Sequence, residues 1–179
     1  MPTVAVRRTI AASPQAVWAL VGDPHHLPRW WPRVTRVEGV ALTGAGEPEA
    51  FTEVLSGRKG KVVRADFEVL EAAAGRRVVW SQQVQGTPFE GVLRSAVTQI
   101  DLAPAPAGTA AATEVRIELR QELPGPLGGS GARGAGGGGL LSGRAFGLAR
   151  FGSPLVKRAA ARTVEQALEG LVRVFGDGD

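Results

Sequence analysis

The chain offers few side chains for catalysis. Its 179 residues include no cysteine and no tyrosine, and the only histidines are the adjacent pair His25 and His26. Without cysteine there are no disulfides, no thiolate nucleophile and no thiolate metal site. Neighbouring residues on a helix point about 100° apart, so the histidine pair makes a poor two-ligand site and a zinc enzyme is not expected. The pair follows Asp23-Pro24, a helix-start signal, and this favours surface imidazoles over general acid–base groups. Residues 134–139 match G-x-G-x-x-G, but inside a glycine run with no βαβ unit around them, so they are not read as a phosphate loop. No metal and no cofactor is expected.

The remaining candidates lie on segments that alternate apolar and polar residues. In residues 113–123 the set Val115, Ile117, Leu119, Gln121 and Leu123 is the inward one, because the other set is nearly all charged. Residues 62–69 direct Val63, Ala65, Phe67 and Val69 inward, and residues 77–84 direct Val78, Trp80, Gln82 and Val84. For residues 91–102 the preferred inward set is Ala96, Thr98, Ile100 and Leu102. Residues 51–56 leave both parities open, Phe51, Glu53 and Leu55 or Thr52, Val54 and Ser56. Gln82, Thr98 and Gln121 would be costly in a dry core unless each found a hydrogen-bond partner. A mostly apolar cavity with a few polar groups suits them, and amides paired to backbone are the alternative. Glu53 is a weak catalytic candidate, and becomes the first acid–base candidate only if its parity is inward.

Positioning such a set requires a sheet and a cover. Residues 3–10 read as a first strand. Ser13-Pro14 and Asp23-Pro24 then signal two short helices, bounded by Pro28 and Pro32 around Trp30-Trp31. Strands follow at 34–42, 51–56, 62–70, 77–84, 91–102 and 113–123, joined by connections with turn chemistry that imply antiparallel neighbours. Residues 124–152 form a glycine-heavy connector within a single domain of residues 1–179, with Leu140, Leu141, Phe146, Leu148 and Phe151 too apolar for a plain linker. After Ser153-Pro154, residues 155–175 place Ala160, Val164, Ala167, Leu168, Leu171 and Phe175 on one helical stripe. That helix covers only part of a curved sheet, so a pocket is expected beneath it. Its predicted lining is Trp31, Phe67, Val69, Val78, Trp80, Gln82, Thr98, Gln121, Val164 and Leu168, with Phe67 and Trp80 as a cross-strand aromatic pair.

The opening Arg8-Thr9-Ile10-Ala11-Ala12-Ser13-Pro14-Gln15-Ala16-Val17-Trp18 and the segment Asp23-Pro24-His25-His26-Leu27-Pro28-Arg29-Trp30-Trp31-Pro32 resemble the START-like, or polyketide cyclase/dehydrase-like, helix-grip (SRPBCC) superfamily. The hairpin at Gly60, the Gly75-Arg76-Arg77-Val78-Val79-Trp80 turn and strand, and Gly108-Thr109 with Thr113-Glu114-Val115 extend the likeness over nearly the whole chain. Ala110-Ala111-Ala112 and the long glycine tract depart from it. The resemblance implies an α+β fold: a seven-stranded curved antiparallel sheet around a long C-terminal helix, with two short helices after the first strand. It also implies a lipid, polyketide, isoprenoid or similar hydrophobic ligand. Some members cyclise or dehydrate and others carry or sense, and fold does not choose between these.

Charge does not redirect this reading. The formal charge is +4, but basic residues alternate with acidic ones, as in Glu114-Val115-Arg116-Ile117-Glu118-Leu119-Arg120, so no nucleic-acid partner is expected. No apolar run is long enough for a transmembrane helix, and cytoplasmic residence is the default. Oligomeric state carries no signal. The first expectation is a binder or carrier of a hydrophobic small molecule, leaning against an enzyme. A polyketide cyclase/aromatase-type enzyme and a protein-interaction module with a vestigial pocket are the alternatives.

Overall fold

The computed structural model describes residues 3–57, 60–106, 111–124 and 153–176. The strands are β1 (Thr3–Ile10), β2 (Val34–Leu42), β3 (Pro48–Ser56), β4 (Val62–Ala73), β5 (Arg77–Gln82), β6 (Ser95–Pro104) and β7 (Thr113–Glu122). They form one seven-stranded sheet in the order β1-β7-β6-β5-β4-β3-β2, and every neighbouring pair is antiparallel. This is the expected helix-grip arrangement.

Between β1 and β2 the two capping signals act as read. Ser13 Oγ accepts a hydrogen bond from the Ala16 amide at 3.2 Å and starts α1 (Pro14–Val21), with Pro14 in the first turn where no amide is needed. Asp23 Oδ1 accepts from the His25 amide at 2.9 Å and starts the 3-10 turn Pro24–His26, which runs into α2 (Leu27–Trp30). Their buried residues Val17, Leu20, Val21, Leu27 and Trp30 join the core.

The long helix α3 (Ser153–Gly176) buries Ala160, Val164, Ala167, Leu168 and Leu171 of the expected stripe, leaves its last member Phe175 half-buried, and packs against β1, β7 and α2. Gly170 is what lets α2 come close. A Cβ there would overlap the Trp30 carbonyl oxygen and stand 2.8 Å from the Trp30 Cα. The sheet curves with the help of register shifts between Val69 and Glu71 on β4 and along β2, where an extra residue bends a strand.

Several strand ends differ from the sequence reading. β3 begins at Pro48 rather than Phe51, and β4 continues to Ala73. β5 stops at Gln82, and β6 starts at Ser95 instead of Gly91. Turn chemistry takes the residues between. Gly86 adopts φ +73°, and hydrogen bonds from Thr87 to Val84, from Glu90 to Thr87 and from Leu93 to Phe89 close successive turns. The expected glycine-rich connector falls, beyond Pro124, outside the described residues, as does the 134–139 motif.

Candidate functional site

Register fixes which residues share the concave face. Glu53 is aligned with Ala65, and Phe51 with Phe67, which in turn faces Gln82. On the far side Gln121 is aligned with Ala96, and Leu119 with Thr98, which faces Trp80. The parity left open at β3 therefore resolves to Phe51, Glu53 and Leu55 inward, since Phe51 and Glu53 are each 2% exposed. Val54, on the other parity, is also fully buried, which is why alternation alone did not separate the sets. The preferred parity of β6 is the observed one: Ala96, Thr98, Ile100 and Leu102 are buried.

These rows line a partly open cavity of about 490 Å³ between the sheet, the turns of residues 83–94 and the first half of α3. Trp31, Phe67, Trp80, Gln82, Thr98 and Gln121 line it, and so does Glu53. Val69 and Val78 do not. They line a separate recess of about 10 Å³ with Val21, Leu27 and the other side of the Phe51–Trp80 contact. Val164 and Leu168 are fully buried and also absent from the cavity wall. The reason is the close approach at Gly170, which seats the C-terminal half of α3 on α2 and fills that end, while Leu155, Val156, Ala159, Ala160 and Thr163 face the open space.

A row of aromatic rings divides the packed end from the cavity. Trp30 meets Trp31 at 5.3 Å, Trp31 meets Trp80 at 5.9 Å, and Trp80 meets Phe51 at 5.9 Å, all edge to face. Phe51 stacks on Phe67 at 5.2 Å with planes 11° apart. The cross-strand partner of Phe67 is thus Phe51, not the expected Trp80: Val69 is the residue aligned with Trp80, and Phe67 lies one position along the same face. Sequence reasoning also missed Arg33, Phe89, Val92 and Leu93 at the cavity wall. Phe89, Val92 and Leu93 stand in a Gly-Pro turn segment, where such large apolar groups are themselves a signal that the turn packs inward.

Polar atoms in this wall are under-satisfied. Glu53 Oε1, Trp80 Nε1 and Gln121 Oε1 are enclosed and lack a protein hydrogen-bond partner. Burial pushes the Glu53 carboxyl from its ordinary 4.5 up to about 8, because desolvation penalises its ionised form there. The group is therefore mainly a neutral acid at pH 7, with one O–H to donate. Arg33, the other charged residue of the wall among the described residues, holds a φ of +67° and donates its guanidinium to the Ser56 carbonyl at 3.2 Å. Among the described residues no group of three or more His, Cys, Asp or Glu could hold a metal ion. His25 and His26 sit outside the cavity, beside Asp23, whose carboxyl they help to hold low against the opposing effect of burial.

A family model described as polyketide cyclase / dehydrase and lipid transport matches residues 1–176. The chain belongs to this family. No curated protein matches it. Among solved structures, a START superfamily protein from Mycobacterium smegmatis superposes with a TM-score of 0.68 at 17% identity, covering 98% of this chain and 97% of that one. A protein from Thermus thermophilus gives 0.64 at 24% identity over 99% and 100%. The di-domain ARO/CYC BexL of the BE-7585A biosynthetic pathway gives 0.66 at 16% identity, covering 97% of this chain and 46% of that one. At these identities the likeness is one of fold. The polyketide cyclase/dehydrase and lipid transport family thus supplies a START-like fold for hydrophobic ligands.

Proposed function

We propose that this family member binds or carries a hydrophobic small molecule, of lipid, polyketide or isoprenoid-like character, in the cavity under the first half of α3. One observation carries the reading: a mostly apolar-walled, partly open space of about 490 Å³ beside the buried core. Ligand sites are clefts or cavities that span roughly 300–1,000 Å³, a range this space falls within. Gln82, Thr98 and Gln121 add a few polar groups to that wall, the mix that orients a ligand rather than fills a core. The size of the space weighs against a protein-interaction module with a vestigial pocket.

Ala96 is buried on the cavity wall, so Ala96→Phe should fill part of the space. We expect a solvatochromic apolar dye bound by the native protein to lose at least tenfold in affinity in this variant, with the cooperative melt retained. Unchanged dye affinity in a folded Ala96→Phe protein would remove the cavity as the binding site.

Glu53 favours a second reading, a polyketide cyclase or dehydrase-type step. A buried neutral carboxyl facing the cavity is a general acid by position, and proton transfer of this kind contributes about 10²–10⁴-fold to a rate. A polyketide substrate consumed by the native protein and not by Glu53→Gln would move the weight to this reading.

A further inference from the structure

Glu53 is the charged or titratable residue best sealed within the cavity wall: it is 2% exposed, and its Oε1 has no protein partner. Its strand neighbours in register are Val37 on β2 and Ala65 on β4, neither of which can bond to a carboxyl side chain. The described cavity wall contributed by β4, β5, β6, β7 and α3 carries no other titratable side chain. Arg33 is the one further charged residue in that wall, and its guanidinium is engaged with the Ser56 carbonyl. No described cation forms an ion pair with Glu53. A buried carboxyl without a counter-ion is costly unless it remains neutral and its donor is used. Among the described residues none provides an acceptor at Glu53 Oε1, so the occupant of the cavity is the group placed to provide it.

We propose that the Glu53 carboxyl is the polar anchor of the cavity, donating an acid O–H hydrogen bond to the oxygen of an uncharged carbonyl or hydroxyl on an otherwise apolar ligand. This rests on the binding reading above and sharpens it. A pure hydrocarbon would fill the space but leave the acid unpartnered. A neutral ketone, ester or alcohol satisfies it without bringing a second charge into the apolar interior. Once the carboxyl ionises it can only accept, and a carbonyl then meets an anion in place of a donor. Recognition of a ketone should therefore weaken with rising pH, while recognition of a hydrocarbon should not.

The test titrates the full chain with a matched pair of neutral dyes, propionyl-dimethylaminonaphthalene and its propyl counterpart without the carbonyl, at about pH 6 and about pH 9. The ketone should bind about tenfold more tightly than the hydrocarbon at the lower pH, and this advantage should vanish at the higher one. Glu53→Gln keeps an N–H donor and should hold the ketone preference at both pH values. Glu53→Leu should abolish the preference at both. Circular dichroism melts establish that each variant is folded, and should Glu53→Leu fail to fold, the pH profile of Glu53→Gln decides. Equal affinity of both dyes for the native protein, or a ketone preference that survives Glu53→Leu, overturns the anchor but leaves cavity binding standing. Absence of binding by both dyes overturns the anchor and the binding reading together.

Discussion

Glu53 links ligand chemistry to stability. Its carboxyl is raised to about 8 in the folded protein from an ordinary 4.5, so between those pH values the folded state holds a proton that the unfolded chain has released. Stability then falls as pH rises through that window and levels off above about 8. At pH 7 the cost relative to acid conditions is on the order of 3 kcal/mol. Glu53→Gln removes the titration, so urea melts should show the variant gaining on the native protein from about pH 5 upward, with its own stability nearly flat. A native profile without this decline would mean that Glu53 is solvated or paired. From sequence, this residue was visible only as one of two parities, because Glu53 and Val54 are both buried and β3 shows no clean alternation. A strand covered on both faces loses the period-two signal.

At the scale of elements, Gly170 is the most exacting position. Helix propensity alone favours alanine over glycine by about 1 kcal/mol. Against that, any Cβ at Gly170 overlaps the backbone of Trp30, and backbone cannot swing aside as a flexible side chain can. Gly170→Ala should therefore destabilise the protein by about 2 kcal/mol or more, read as a lowered melting temperature, and it should loosen the end of the cavity that Trp31 closes. A neutral or stabilising effect would show that α2 and α3 can separate without cost. The elements themselves were largely legible. Ser13-Pro14 and Asp23-Pro24 declared their helices through side-chain caps, and the stripe from Ala160 to Leu171 declared α3. The strand ends around residues 83–94 were not legible, because Val84, Val92 and Leu93 suit a strand by composition while Gly86 and the Phe89 carbonyl close turns instead. Nor was the placing of Val164 and Leu168 in packed core, which depends on a helix–helix approach distance that no single segment encodes.

Across the whole molecule the convex face is held by charge where the concave face is apolar. Arg77 donates to Asp101 at 2.6 Å, Arg116 lies 3.5 Å from Asp101 and also bonds Glu118, and Arg120 donates to Glu118 at 2.5 Å and to Gln99 at 3.1 Å. Burial works to raise Asp101 and Glu118, yet the arginine hydrogen bonds and charges outweigh it and hold both below the usual carboxylate range. Their contribution is present above the unfolded carboxylate values and is lost as pH falls through the depressed ones. Arg116→Ala should thus destabilise by under about 1 kcal/mol near neutrality, more weakly in high salt, and its difference from the native protein should shrink on acidification. An effect independent of salt and pH would assign Arg116 a packing role instead. This alternation of Glu and Arg along β7 was readable from sequence as a solvated strand face, but the ladder across β5, β6 and β7 required the register.

The strand order has a consequence in time as well as in space. β2 through β6 pair with neighbours in sequence, so each hairpin can close locally as the chain emerges, whereas Thr3 must await Arg120 before β1 has an edge to join. Contacts so distant in sequence are slow to form, and α3 follows later still. Any sheet formed before α3 docks would present its concave face bare, so docking of the C-terminal helix is the step that covers an otherwise adhesive surface.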